Sequence, residues 1–195
     1  MKAFACWPLT LLILSVWSYP TQSQTTESLQ SQNQEWAIQA GWGQSRSRWE
    51  LRNNEYKVRP DSWRISLTRT KLWAFTIAES IDIQLDADAS VYHWNDNWLR
   101  RHISVVSIVP MFRSYWELGP VSLFAGLGIG VAVLDREIWM DRQLGSRLQF
   151  EDKAEIGLRY KNHQLAVGIS HFSNANLADI NHGVNVVQVS YAHYF

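Results

Sequence analysis

Cysteine, net charge and long apolar runs are all scarce in this chain of 195 residues. The single cysteine, Cys6, lies in the first apolar stretch, so an internal disulfide framework is excluded. Eighteen basic residues balance eighteen acidic ones, which argues against a nucleic-acid partner held by counterion release. Beyond the first apolar stretch, no segment reaches the roughly 20 apolar residues that a membrane-spanning helix requires.

The N-terminal segment has the pattern of a secretory signal. A basic start precedes an apolar run from Ala3 to Val16, and Thr21-Gln22-Ser23 supplies the small residues of a cleavage site. We therefore predict a signal peptide at 1–23, a flexible Gln-, Ser- and Thr-rich lead-in at 24–35, and a folded domain at 36–195. The chain after the predicted signal peptide has no cysteine, which is compatible with export to the periplasm or the outer membrane.

The folded part alternates apolar and polar residues with the period of two that is typical of β-strands. In the clearest segment Ile81, Ile83 and Leu85 alternate with Asp82 and Gln84. Eight such strands can be counted, and the connections between them alternate between long and short, with one tight connection predicted near Lys71. Closed outer-membrane barrels have this asymmetry, with short periplasmic turns and long outer loops.

We therefore predict an all-β fold, an eight-stranded antiparallel transmembrane β-barrel over residues 36–195. Nine of the eleven tryptophans follow the predicted signal peptide and fit aromatic girdles at the two membrane interfaces, and the strand carboxylates would face the barrel interior opposite arginines. The alternative is an exported soluble β-sandwich with a tryptophan-rich core. That fold would have difficulty burying either face of a strand that carries Asp82, Asp86 and Asp88.

The last two predicted strands bring a serine, a histidine and an amide onto one apolar face. The face that begins at Leu165 continues, by parity, through His171 to Ser173, and Asn185 heads the returning strand with matching parity. Residues two apart on a strand project side by side, so His171 can act as the general base for Ser173. The amide oxygen of Asn185 could then accept the other N–H of the histidine.

Alone, a His-x-Ser pair is weak evidence, because polar residues are common at membrane interfaces. Four further histidines of the predicted barrel, His102, His163, His182 and His193, are scattered, so we expect neither a metal site nor a cofactor. The functional interpretation depends on the combination of the pair with its apolar face and its place near the outer rim.

The sequence His171-x-Ser173-Asn174-Ala175, near the end of a small barrel-like chain, resembles the PagL-type lipid A 3-O-deacylases of bacterial outer membranes. The resemblance implies a serine esterase that removes the 3-O-linked acyl chain of lipid A, using His171 and Ser173 on the lipid-facing surface. It also implies that Asn174 is an oxyanion donor. The acidic third residue of that family corresponds to Asn185 here, and Asn185 is our predicted third catalytic residue.

The same His-x-Ser pair, with an asparagine twelve residues after the serine, is similar to outer-membrane phospholipase A, although the twelve-stranded barrel of that enzyme does not fit a chain this short. A phospholipid acyl hydrolase therefore stays open as an alternative, as does a non-catalytic small barrel whose site has decayed at Asn185. If Asn185 does not orient the histidine, Asp179 is the next candidate.

The resemblance also predicts the partners and the location. We expect lipopolysaccharide as the substrate, the outer membrane as the location, and the barrel-assembly machinery as the partner that reads the terminal Phe195. A homodimer is left open.

Overall fold

A computed structural model of the protein describes residues 35–46, 61–96, 101–139 and 142–195. The predicted signal peptide at 1–23 and all of the predicted lead-in except Glu35 lie outside the described residues. Within the described ranges, no helix is long and apolar enough to cross a membrane.

Ten strands make up almost all of the described chain: β1 (Trp36–Arg46), β2 (Asp61–Ala78), β3 (Ile81–Asp96), β4 (Arg101–Leu118), β5 (Val121–Leu134), β6 (Ile138–Trp139), β7 (Arg142–Gln143), β8 (Leu148–Tyr160), β9 (His163–Ser173) and β10 (Val184–Tyr194). Eight of them close into a barrel in the order β1-β10-β9-β8-β5-β4-β3-β2, while β6 and β7 form a small separate hairpin. Neighbouring barrel strands are all antiparallel. The predicted eight-stranded antiparallel barrel is confirmed.

The connections differ in length at the two ends of the barrel. Two-residue turns at 79–80, 119–120 and 161–162 join strands at one end. Longer connections, such as 174–183 between β9 and β10, lie at the other end. In outer-membrane barrels the end with long connections faces the cell exterior, so the last residues of β9 lie near the outer rim.

The tight connection predicted near Lys71 is wrong. Lys71 lies inside β2 with a φ of 52°, where the register with β3 shifts between Arg69 and Trp73. Its backbone N–H donates to Oδ1 of the buried Asp86 at 2.7 Å. A β-bulge whose N–H is satisfied by a buried carboxylate therefore takes the place of a turn, and β2 continues to Ala78.

The outward-facing side chains form a continuous apolar surface. Large apolar residues that are exposed occur on every barrel strand, among them Ile65 on β2, Ile108 on β4, Ile129 on β5, Val167 on β9 and Val189 on β10. An apolar surface of this extent is unfavourable in water and is what contact with the acyl chains of lipid requires. The barrel is therefore of the transmembrane kind.

The middle of the barrel interior is filled by paired charges. The guanidinium of Arg113 lies 2.7 Å from Asp86, 2.8 Å from Asp88 and 2.7 Å from Glu155. Lys153 adds a contact of 2.6 Å to Asp88. All five side chains are buried, and each charge has an opposite partner, as burial in a medium of low dielectric constant requires.

An apolar cluster fills the interior at the end with the long connections. Its largest members are Trp94 of β3, Trp139 of β6 and Phe172 of β9, all at most 1% exposed. The ring of Phe172 lies 5.0 Å from that of Trp94 and 5.3 Å from that of Tyr92. The inward face of β9 is therefore packed against this cluster at the same level along the barrel axis as His171 and Ser173.

Candidate active site

His171 and Ser173 lie on the outer face of β9, as the alternation predicted, and their inward neighbours hold the strand in place. The hydroxyl of Ser170 donates to Oε1 of Glu151 at 2.7 Å. Phe172, between the two site residues, is packed into the apolar cluster. These buried contacts restrain the backbone from which His171 and Ser173 project, which is the kind of support that a preorganised site needs.

Asn185 is directly opposite His171 in the pairing of β9 with β10. Nδ1 of His171 lies 2.7 Å from Oδ1 of Asn185. Because an amide oxygen can only accept, Nδ1 carries the proton and donates, which leaves Nε2 able to accept a proton. The residue that sequence analysis paired with His171 is thus in contact with it, while its part in catalysis stays a prediction.

Ser173 projects from the same face as His171, two residues along the strand. Among the described residues, no hydrogen bond joins its Oγ to the imidazole or to any other group. Hydrogen bonds between a nucleophile and its base are often completed only when substrate is bound. The arrangement therefore holds a hydroxyl beside a correctly protonated base on an apolar surface.

The side chain of Asn174 is engaged within the loop that follows β9. Its Nδ2 donates to the carbonyl oxygens of Leu144 at 3.0 Å and Ile180 at 2.7 Å, and its Oδ1 accepts from the N–H of Asn176 at 2.9 Å. The side chain is also 1% exposed. These contacts make Asn174 a tether for the loop, and its predicted role as an oxyanion donor stays a prediction.

The next two residues have an unusual backbone conformation. Ala175 and Asn176 have φ values of 51° and 62°, in the left-handed region that residues other than glycine seldom occupy. Consecutive residues of this kind cost energy and are found where the surrounding structure holds them for a purpose. The backbone N–H of Ala175, two residues after Ser173, has no acceptor among the described residues, so it is available to an anion.

Gly183 makes room for the imidazole from the loop side. A Cβ at this position would lie 2.6 Å from Cε1 and 3.1 Å from Nε2 of His171. The distance to Cε1 is shorter than carbon atoms tolerate, so a larger residue must displace the ring. The sequence pattern does not predict a role for Gly183, because the length and course of the loop are needed to place it beside the histidine.

We expect Gly183→Ala to slow the reaction of Ser173 with a small fluorophosphonate by about tenfold to a hundredfold, since displacing a base by about 1 Å has effects of this size. The measurement is the labelling rate of folded protein in detergent micelles. Gly41→Ala is the matched control, because the nearest atom to its Cβ is at 3.4 Å and the site is on β1. Equal labelling rates for the two variants would contradict the packing role of Gly183.

Asp152 lies on the other side of His171, on the outer face of β8. The two residues are directly opposite in the pairing of β8 with β9, so the outer face carries the row Asp152, His171, Asn185. Sequence analysis did not single out Asp152, although parity with Ala154 and Ile156 would have placed it outward. Its proximity to the histidine depends on the strand register, which parity does not determine.

The outer surface beside this row has an apolar groove. The small Ala154 lies in register between Leu127 on β5 and Ile169 on β9, and Ile129 and Asp152 also border the depression. His171 and Asn185 also line the groove. An extended aliphatic chain lying on the barrel surface would fit next to the serine and histidine.

Two other expectations concern groups away from this row. Asp179 is exposed on the 174–183 loop, and within the described residues it forms no hydrogen bond or ion pair with His171. The described ranges hold no group of three or more His, Cys, Asp and Glu side chains placed to bind a metal ion.

Comparison with known proteins gives matches over most of the barrel. The sequence model of a family described as "Lipid A 3-O-deacylase (PagL)" matches residues 56–194. A protein named "Lipid A deacylase PagL" from Bordetella bronchiseptica is 32% identical over 117 residues, which is 59% of this chain and 64% of that protein. A protein of the same name from Pseudomonas aeruginosa is 31% identical over 123 residues, 62% of this chain and 69% of that protein.

The fold is also similar to that of a solved outer-membrane enzyme. The crystal structure of the outer membrane enzyme PagL matches with a TM-score of 0.69 and 23% sequence identity, covering 80% of this chain and 98% of that chain. At this identity the likeness shows the barrel fold, while the family match comes from the sequence comparisons.

Proposed function

Because this chain belongs to the lipid A 3-O-deacylase (PagL) family, we propose that it is an outer-membrane serine esterase that removes the 3-O-linked acyl chain from lipid A. The observation that carries the proposal is the 2.7 Å hydrogen bond between His171 and Asn185, beside Ser173, on the lipid-facing surface of the barrel. A soluble hydrolase would place such a group in an aqueous cleft. An enzyme whose substrate ester lies in the membrane needs its catalytic residues on the lipid-facing surface of the barrel.

In this reaction Oγ of Ser173 bonds to the acyl carbon of the ester while its proton passes to Nε2 of His171. The resulting imidazolium then gives the proton to the sugar oxygen at position 3 as the carbon–oxygen bond of the ester breaks. Water then gives a proton to His171 and bonds to the acyl carbon, and as the bond from that carbon to Oγ of Ser173 breaks, His171 returns the proton to Oγ and the fatty acid leaves. The bond from Nδ1 to Asn185 keeps the ring in the tautomer that each proton transfer needs.

The negative oxygen of the tetrahedral intermediate requires donors close to Ser173. We place one of them at the backbone N–H of Ala175, in the left-handed segment after Ser173. The N–H groups of Asn174 and Asn176 already donate to the side-chain oxygens of Asn181 and Asn174. Asn174 contributes by tying this segment to the carbonyl groups of Leu144 and Ile180. Loss of that tether would loosen the donors as well as the loop.

The site is close to the outer rim, at the height of the outer leaflet, where lipid A is found. The apolar groove beside Ala154 would receive the acyl chain that is cleaved, with its ester end at Ser173 and its tail along Leu127 and Ile169. Because the surrounding lipid is as apolar as the groove, the groove would orient the acyl chain without adding a hydrophobic transfer energy.

We expect lipid A from cells that produce the protein to contain species lighter by one 3-O-linked acyl chain than lipid A from cells without it. Mass spectrometry of extracted lipid A is the measurement, and the phospholipid fraction of the same cells is the control. Loss of acyl chains from phospholipid alone would support the phospholipase alternative instead. Unchanged lipid A and phospholipid in cells with folded barrel would support a non-catalytic protein.

A further inference from the structure

Asp152 is a carboxylate on the apolar, lipid-facing surface of the barrel, and it has no ion-pair partner among the described residues. It is exposed on the outer face of β8, between Phe150 and Ala154 on the same face. Its cross-strand neighbours are Ile129 on β5 and His171 on β9. No described residue donates a hydrogen bond to it or forms an ion pair with it. A carboxylate at this place costs free energy unless it has a partner or a function.

The one titratable group directly opposite this carboxylate is the imidazole of His171. Residues paired across neighbouring antiparallel strands have Cβ atoms about 4.5–5.5 Å apart, so a charge on one side chain acts strongly on the other. Asp179 and His182, on the loop after β9, are exposed, and among the described residues they form no hydrogen bond, ion pair or ring contact with His171. Asp152 is therefore the charged group that faces the histidine from the elements packed against it.

The cross-strand neighbour of His171 on its other side, Asn185 of β10, has no charge. Asn185 accepts the Nδ1 proton and fixes the tautomer, but an amide does not stabilise an imidazolium as a carboxylate does. Asn185 on β10 thus orients the imidazole of His171 but provides no negative charge to balance the imidazolium. The negative charge in the row lies on β8.

We propose that Asp152 is a positioning residue that supplies, from β8, the negative charge that Asn185 does not supply from β10. Orientation and charge, which one carboxylate provides in a Ser-His-Asp triad, are divided in this chain between two residues on opposite sides of His171. Asp152 keeps its negative charge throughout and takes no proton. It acts by stabilising the imidazolium that forms when Ser173 attacks, and the proposal rests on the esterase function proposed above.

The test uses two reactions of the folded barrel in detergent micelles. One is lipid A deacylation, and the other is phosphonylation of Ser173 by a small fluorophosphonate, which needs the same base and has no acyl chain or sugar to bind. Asp152→Asn is expected to slow both reactions by about tenfold, an intermediate value between the effects of a nearby charge in water and in a protein interior. Asp152→Glu should restore most of the loss in both.

A double-mutant cycle then tests whether the two carboxylate positions are interchangeable. Asn185→Glu places a charge on β10, so in that background Asp152→Asn should cost less than about threefold in both reactions. Asn185→Ala removes the orienting oxygen and should lower both rates by about one to two decades whether or not Asp152 is present. Glu117→Gln, at the short-turn end of β4, is the control for removing an exposed negative charge and should change neither rate.

Two results would overturn the proposal. If Asp152→Asn slows deacylation but leaves phosphonylation unchanged, the carboxylate contacts substrate and does not act on His171. If Asp152→Asn slows both reactions by the same factor in the parent protein and in the Asn185→Glu background, the two positions do not share a role. Phosphonylation that depends on Asp152 in a protein that leaves lipid A intact would retain the inference and reject the proposed substrate.

Discussion

Ser173→Ala and His171→Ala are each expected to lower lipid A deacylation by more than about 10⁴-fold, and the double variant should be no slower than the slower single variant. The reason is that nucleophile and base act as one unit, so removal of either already abolishes the covalent route. What remains is the contribution of substrate binding and of the oxyanion donors. The measurement is release of the acyl chain from purified lipid A by folded protein.

The chain contains a matched control for this pair. Ser104 on β4 also lies beside a histidine on the outer face, with its Oγ 3.5 Å from Nδ1 of His93. Ser104→Ala therefore removes a hydroxyl from a similar setting at another part of the barrel and should leave deacylation unchanged. Losses that multiply in the Ser173 and His171 double variant, or activity that survives Ser173→Ala, would reject the proposed catalytic unit.

Arg113→Met is expected to have the largest effect on stability. It would leave Asp86, Asp88 and Glu155 buried with Lys153 as the remaining cation of the cluster. Removing one partner of a buried ion pair costs about 3–5 kcal/mol, and here Asp86 and Glu155 would lose the ion-pair partner that compensates their burial while Asp88 keeps Lys153. The free energy of unfolding can be measured by urea titration of the barrel in lipid vesicles, with the folded fraction read from gel migration of unheated samples.

Arg69→Met is the control for this experiment, since Arg69 forms its 2.6 Å ion pair with Glu35 at the surface, where the two side chains are 33% and 62% exposed. Loss of a surface pair should lower the free energy of unfolding by less than about 1 kcal/mol. Similar losses for Arg69→Met and Arg113→Met would mean that the interior cluster contributes no more than a surface contact. Any Arg113→Met protein that does fold should retain deacylation, because Arg113 does not contact the outer face.

The alternation of residue types was enough to predict the number of barrel strands and the outward face of most of them. On β4 the prediction from parity that Ile103, Val105 and Met111 point outward is wrong, because both faces of that strand carry apolar residues and the structure buries these three in the barrel. Successive side chains of a strand point to opposite sides whatever the strand is paired with, so parity is a local property. It placed His171, Ser173 and Asn185 on the outer face, where the structure has them. The resemblance carried by the last fragment of the chain then supplied the family, which the sequence comparisons confirm.

Which residues lie opposite one another was decided by the tertiary structure. Parity placed Asn185 on the same face as His171, but the pairing of β9 with β10 brings the two into contact, and the pairing of β8 with β9 adds Asp152. The bulge at Lys71 likewise exists because Asp86, from another strand, accepts its N–H. Register and bulges depend on hydrogen bonds between distant parts of the chain, and a strand that slips by two residues keeps its parity while it changes every neighbour. The sequence by itself therefore determined the number of barrel strands and the faces of most of them, and only closure of the barrel determined the surroundings of the histidine.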